Sequence, residues 1–404
     1  MSGMTRSYWL LEKLIEGEKG PLEGSDESIC VIGGGITGVA SAYFLLKKGF
    51  KVTLVDEKPQ EAASFRNASH VLYGTVENYQ ALNAFHGRKT AKELWALSMD
   101  VCHTIRDLVL EYGWDVGYRQ DGYLVVAVDE VEDREIRSSI ELLNQDGFQS
   151  EYVEQKEVEK LGFRNVQGAR YEKGSAQIHP VKFRNALLKE ALKMGLKYYS
   201  GVKVTDVEEE GGVCAVYLNG FKKPVHFMSA VIAANAYAPK LSRFFREKRL
   251  LEPFAGQIIV SRPMKKPLKI SYPHSFNRGY EYAVATSDNR LLIGGWREGV
   301  KGHDIGNYDL TPHSHVDIGL KEFVKKHYAI EEELFWEFSW KGLMASSSTA
   351  FPFIGPTNSP LIFSCTGFTG HGLSWGCGSA QILAKIMAGE DVPDIVLRHF
   401  SPKK

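Results

Sequence analysis

Ser28-Ile29-Cys30-Val31-Ile32-Gly33-Gly34-Gly35-Ile36-Thr37-Gly38 is the stretch that decides the fold. Residues 28–32 form a short continuous apolar run, as expected of a strand buried on both faces of a parallel sheet. A helical stretch follows the glycines as far as Lys48, and residues 51–55 then read as a second, β-branched strand. Strand, glycine turn, helix and strand in about thirty residues make a βαβ unit. In that setting GxGxxG reads as a dinucleotide cradle. Gly33 permits the tight turn, Gly35 removes the side chain where a diphosphate must approach, and Gly38 lets the helix pack on the strand. Ile36 and Thr37 open the helix, whose N-terminus offers free N–H groups and a partial positive charge. Asp56 closes the second strand with Glu57 beside it; a carboxylate there accepts hydrogen bonds from ribose hydroxyls and repels a 2′-phosphate.

Working outward, residues 1–24 read as an extension, with an amphipathic helix expected at 7–15 and packing on the outside of the main domain. Helices are predicted over 78–113, 134–144, 182–194 and 314–328. Strands are predicted in 114–128, 202–207, 214–218, 230–233 and 257–296. The last segment, 361–387, reads as strand, glycine-rich turn and a helix starting near Ser379. The fold class is α/β: a discontinuous Rossmann-like nucleotide domain (25–105, 160–250 and 335–404) carrying an antiparallel-sheet substrate domain (106–159 and 251–334).

The chain has 404 residues, 44% hydrophobic and 24% charged, with a formal net charge of zero. Length favours two domains, and zero net charge argues against a dedicated nucleic-acid binder. Five cysteines stand alone at 30, 102, 214, 365 and 377, a pattern of reduced thiols without a zinc site or other metal centre. No apolar run reaches the roughly 18 residues of a membrane span, and the N-terminus lacks a signal-peptide pattern. The expected location is the cytoplasm.

A nicotinamide enzyme usually has one compact nucleotide domain, whereas here small-residue segments of that domain return late, at Ala234-Asn235-Ala236-Tyr237 and Gly370-His371-Gly372. With the cradle at 33–38, Ala63-Ser64-Phe65-Arg66-Asn67, Leu291-Leu292-Ile293-Gly294-Gly295 and Phe351-Pro352-Phe353-Ile354-Gly355, the chain resembles the D-amino-acid oxidase type of FAD-dependent oxidoreductase. The resemblance covers nearly the whole chain and is nearest to the glycine, sarcosine and γ-glutamylputrescine oxidases. Ser7-Tyr8-Trp9 and Pro21-Leu22-Glu23-Gly24 are similar to the last of these.

The resemblance implies FAD held non-covalently and a hydride taken from a carbon that bears an amine. The imine then hydrolyses in water, and oxygen or a quinone takes the electrons. Ser64, Arg66 and Asn67 would line the flavin and ribityl chain, Val204 would hold adenine through its backbone, and Ala234 belongs to the same site. Gly370, His371, Gly372 and Leu373 would lie along the pyrimidine edge of the flavin, where a helix N-terminus stabilises negative charge. Tyr280, Tyr282, Trp296 and Arg297 are the pocket-lining candidates, with His70, Gln257 and His371 nearby; Tyr280, Tyr282, Arg297 and His70 are the catalytic candidates. Tyr280 and Tyr282 alternate along a strand, a spacing that sheet packing also produces; Arg297 also reads as a surface arginine, and His371 as a turn residue.

Three departures bear on the substrate. Met344 stands where many amino-acid oxidases of this fold carry a carboxylate-binding arginine, so Arg297 or Lys341 would have to substitute. No cysteine occurs at 342–345, where sarcosine oxidases tether their flavin; His70 is the candidate for a histidyl link. Leu292 replaces their oxygen-activating lysine. Two other readings remain: a flavoprotein that modifies a tRNA wobble uridine, and a flavoprotein that is non-catalytic or oxidises pyridine nucleotides.

Overall fold

A computed structural model describes residues 5–403; the first four residues of the expected extension, and residue 404, lie outside the described residues. β1 (Ser25–Ile32), α1 (Ile36–Lys47) and β2 (Lys51–Asp56) form the βαβ unit. Residues 29–32 are buried, and so is every α1 residue from Ile36 to Leu45. A helix that is apolar nearly all round has to be enclosed. α1 lies between the helices Gly372–Met387 and Pro180–Lys193, with the sheet beneath it.

That sheet runs in the order Phe353–Pro356, Ile362–Thr366, Val225–Ile232, β1, β2, Lys197–Ser200. From Ile362–Thr366 to Lys197–Ser200 every neighbouring pair is parallel. Their C-terminal ends therefore open on one crevice, where ligands bind in sheets of this kind. The hairpin Val204–Glu210 and Val213–Leu218 attaches antiparallel to the start of Val225–Ile232.

The second sheet has eight strands, in the order Trp336–Ser347, Leu251–Ser261, Leu291–Gly295, Glu281–Ala285, His274–Phe276, Tyr123–Val126, Ala169–Glu172, Glu151–Val153. All pairs are antiparallel but one: His274–Phe276 runs parallel to Tyr123–Val126. Two strands, Ala169–Glu172 and Trp336–Ser347, fall outside the segments 106–159 and 251–334 expected to build this sheet. The helix Ser314–His327 covers one face, where Val316, Leu320, Phe323 and Val324 meet Ile259, Ala283 and Ile293. The other face presents Ile258, Val260, Val284, Leu292, Phe338 and Trp340. Alternation along the strands separates the two sets.

Two further expectations need correction. The N-terminal segment forms only a short 3₁₀ turn, Tyr8–Leu11, instead of a helix over 7–15. It is also not packed on the outside, because Ser7, Trp9 and Leu10 are buried against Phe65 and Ala68. The last long helix starts at Gly372 and not near Ser379.

The tightest approach is at Gly38, where a Cβ would lie 1.7 Å from the Gly33 carbonyl oxygen. Gly38→Ala is expected to push α1 off its turn at a cost of about 1–3 kcal/mol and so lower the melting temperature by several degrees. An unchanged melting curve would contradict this packing.

Candidate active site

The crevice is built first from the glycine turn. Gly33 has φ +116°, and a Cβ on it would meet the Ala233 carbonyl oxygen at 2.7 Å. Gly35 is the N-cap of α1 and supplies no side-chain cap; the Ile36 N–H instead donates to Ser64 Oγ at 2.9 Å. With no side chain on the N-cap and Ser64 taking one amide, the next N–H groups of α1 are left as donors for an anion. The turn thus offers the bare backbone and positive helix end that a diphosphate needs. Asp56 Oδ2 accepts the Gly34 N–H. Burial raises the Asp56 carboxyl, while this hydrogen bond and the Arg184 charge oppose the rise. Glu57 is exposed and pairs with Lys203 at 3.4 Å. The Val202 N–H donates to Asp56 O at 3.0 Å, which brings buried Val204 to the end of β2. Ala234 follows the strand end at Ile232, and the next residue, Asn235, accepts the Gly367 N–H at 3.1 Å.

Ser64, Arg66 and Asn67 lie on a segment bolted to both sheets. Asn67 Nδ2 donates to Ser64 O at 2.8 Å, and Asn67 Oδ1 accepts the Ser69 N–H at 2.8 Å. Arg66 spends its guanidinium on Gln60 O (3.3 Å) and Lys341 O (2.9 Å), while Trp340 Nε1 donates to Arg66 O at 3.2 Å. From the other side, Ser7 Oγ donates to Phe65 O at 2.6 Å and Trp9 Nε1 to Asn67 O at 2.7 Å. The extension is therefore part of this wall. The apolar Trp9 and Leu10 are the sequence signal for this burial, in a stretch too short to show a period.

Residues 370–373 close the third side. Thr369 N–H donates to Ala345 O at 3.0 Å, and Ser374 Oγ bridges the Leu72 N–H (2.8 Å) and His70 O (3.4 Å). The N-terminus of Gly372–Met387 is thus held beside His70. Burial lowers the His371 pKa, and its Nδ1 stands 3.3 Å from Thr369 O.

The second sheet contributes the facing wall. The Tyr282 ring lies over Gly294, its cross-strand partner, where a Cβ would come within 2.4 Å of it. A Cβ on Gly256 would meet Met344 Cε at 2.8 Å and the Tyr282 hydroxyl at 3.1 Å. His70 stands edge-on to Tyr282, with ring centroids 6.3 Å apart. Its Nε2 is 3.0 Å from Ala283 O, an arrangement that puts the proton on Nε2 and leaves Nδ1 as an acceptor. Burial holds His70 down to about 3 and pushes Tyr282 up to about 12. Arg297 sits 4.5 Å above the Phe254 ring, and its charge is felt at Tyr282.

Other candidates fall elsewhere. Tyr280 is 39% exposed in the turn that precedes its strand. Trp296 packs onto Gly319 and Phe323 on the helix-covered side. Gln257 donates to His313 O (2.9 Å) and Asp317 Oδ1 (2.6 Å), anchoring the same helix. Lys341 is buried on that side too, paired with Asp304 at 2.7 Å. The period-2 alternation that sends odd-numbered Gln257 and Lys341 to the helix side was available in the sequence.

His70 gives a pH test. Its folded pKa is depressed, so as pH falls from about 6.5 towards about 3 the unfolded chain takes up a proton that the folded chain refuses. Stability is lost in that window, and His179 and His274, each held down to about 4, add to the loss. His70→Gln should flatten the acid side of the stability profile in thermal melts between pH 7 and pH 4. Parallel profiles would mean that folded His70 is protonated.

The whole chain can be set beside known proteins. The "Probable oxidoreductase OrdL" of Haemophilus influenzae is 23% identical over 396 residues, 96% of this chain and 89% of that protein. Glycine oxidase from Bacillus cereus superposes with a TM-score of 0.77 at 20% identity, covering 93% of this chain and 98% of that one. L-proline dehydrogenase from P. horikoshii gives 0.75 at 21% identity, with 94% and 98% covered. These structures share the fold. A family model described as FAD dependent oxidoreductase (DAO) matches residues 28–386. With its glycine turn, bare helix start and late-returning strands in one crevice, the chain belongs to the DAO family of FAD-dependent oxidoreductases.

Proposed function

We propose that this enzyme oxidises the C–N bond of a small amine or amino acid by hydride transfer to FAD, releasing an imine that hydrolyses in water. The observation that carries the reading is the wall of His70, Tyr282 and Met344 between the 63–67 segment and the helix start at Gly372. None of the three is charged near neutral pH, since burial keeps His70 deprotonated and Tyr282 protonated. Such a wall receives a neutral amine. As the hydride leaves carbon, the nitrogen lone pair closes the C=N bond, and no side chain has to take a proton in that step. FAD, when bound through residues 33–38, Asp56, Ser64 and 370–373, supplies the two-electron acceptor. The chain's own part is orientation: His70 Nδ1 accepts an amine N–H, the Tyr282 hydroxyl donates, and Met344 sets the width.

A carboxylate on the substrate would meet Arg297. Met344 is neutral, and Lys341 is committed to Asp304 behind the sheet. Similar solved structures named glycine oxidase, L-proline dehydrogenase and L-amino acid deaminase support an amino-acid-like substrate. Buried cysteines and a His70 Nε2 turned to Ala283 O support a non-covalent flavin. Leu292, fully buried, offers oxygen no cation, so a quinone stands beside oxygen as acceptor. No helix among the described residues is long and apolar enough to cross a membrane.

Mixed anaerobically with a panel of amines, amino acids and γ-glutamyl amines, the holoenzyme should be bleached by at least one. A flavin spectrum unchanged by the whole panel would overturn the reading. Arg297→Met should raise KM for carboxylate-bearing substrates by about tenfold to a hundredfold and leave amines without a carboxylate unaffected. Acid precipitation should release yellow flavin into the supernatant, whereas a coloured pellet would mean a covalent link.

A further inference from the structure

Arg184 is fully buried in the helix Pro180–Lys193, yet no step of the chemistry above uses it. Its Nε donates to Gly34 O at 3.1 Å, inside the glycine turn. Nη1 donates to Ile15 O (2.8 Å) and Asn185 Oδ1 (3.3 Å), and Nη2 to the Tyr198 hydroxyl (2.9 Å). All four acceptors are neutral. They satisfy the guanidinium as a donor without cancelling its charge, and a buried charge is costly unless an opposite one balances it. Asp56 is the carboxylate that faces this charge, since accepting the neutral Gly34 N–H leaves its own charge in place.

We propose that Arg184 is a positioning residue of the dinucleotide site, fixing the Gly34 peptide and adding positive charge behind the turn that receives the diphosphate of FAD. Two effects follow from one hydrogen bond. In a trans peptide the C=O and N–H point in opposite directions, so fixing Gly34 O towards Arg184 turns the Gly35 N–H towards the crevice. Donation to that oxygen also polarises the same peptide group, which strengthens its N–H as a donor. The charge adds a field that reaches α1's N-terminus through protein, where water screens little. The contact with Ile15 O makes the N-terminal segment part of the support: Asn185 Nδ2 donates to Lys13 O at 2.8 Å, and the Glu18 N–H donates to Tyr198 O at 2.8 Å. The sequence beyond the GxGxxG motif thus contributes a cation to the cradle from residues far along the chain.

The test compares Arg184→Lys and Arg184→Gln in flavin-stripped protein. Both lose the planar fork, and only the first keeps a charge. Affinity for FAD is read from flavin fluorescence quenching, and affinity for ADP, which carries the diphosphate without the flavin, from competition. Arg184→Gln should bind both more weakly by about tenfold or more, with Arg184→Lys recovering most of the loss. The rise in melting temperature on adding ADP should shrink in the same order. Equal affinities in the two variants would overturn the proposal, as would FAD and ADP binding unchanged from the parent in Arg184→Gln. Should Arg184→Gln fail to fold, Arg184→Lys decides alone. Parent-like ADP stabilisation in it supports the charge, and complete loss contradicts it. No substrate enters these measurements, so their outcome is separate from the amine reading.

Discussion

The Gly33 carbonyl oxygen lies where a side chain on residue 38 would begin, and that near-contact sets the position of α1. Because the helix can approach so closely, its first amides face the crevice at the end of β1. Gly33 itself fits only because its own missing Cβ clears Ala233. A second small residue repeats the device, since a Cβ on Gly376 would lie 2.4 Å from Thr37 Oγ1. Two helices are thereby drawn together near their N-termini. Their positive ends both open on the crevice, the proposed place for the phosphates and the flavin of FAD.

The second sheet divides polar from neutral. Its helix-covered face holds Asp304, Lys341, His313 and Asp317 in one bonded group: Lys341 pairs with Asp304, and Asp317 takes hydrogen bonds from Gln257 and Ser339. Its other face presents Tyr282, Met344 and Trp340 towards His70. An ion pair kept behind the sheet leaves the charge at the cleft to the helix ends and Arg66. Arg66 ties the two halves together by donating across to the backbone of Lys341. The neutral wall and the charged cradle are then parts of one rigid arrangement.

Much of this was legible because local chemistry dictated it. The βαβ unit needs only a continuous apolar strand, glycines at fixed offsets and an acid at the end of the second strand, and all are contiguous in sequence. Gly370 to Leu373 were legible too, although the helix starts at once after His371, earlier than Ser379, because Gly376 and Gly378 are packing residues and not breaks. The strands Ala169–Glu172 and Trp336–Ser347 were assigned to the other unit because pairing across long loops leaves no local trace. Trp296 was expected in the pocket and is in the helix-side core, since its left-handed backbone, φ +57°, turns the ring away from the strand's alternation. Arg184 was invisible for the same reason as the long-range pairing: three of its partners, at positions 15, 34 and 198, are distant in sequence.

The account stands on the glycine turn and α1 receiving a diphosphate. Its most direct test is an equilibrium titration of flavin-stripped protein with FAD, followed by fluorescence quenching. The account predicts saturation at one FAD per chain, abolished by excess ADP. Protein that is folded yet takes up no FAD, or binds it without competition from ADP, would contradict it.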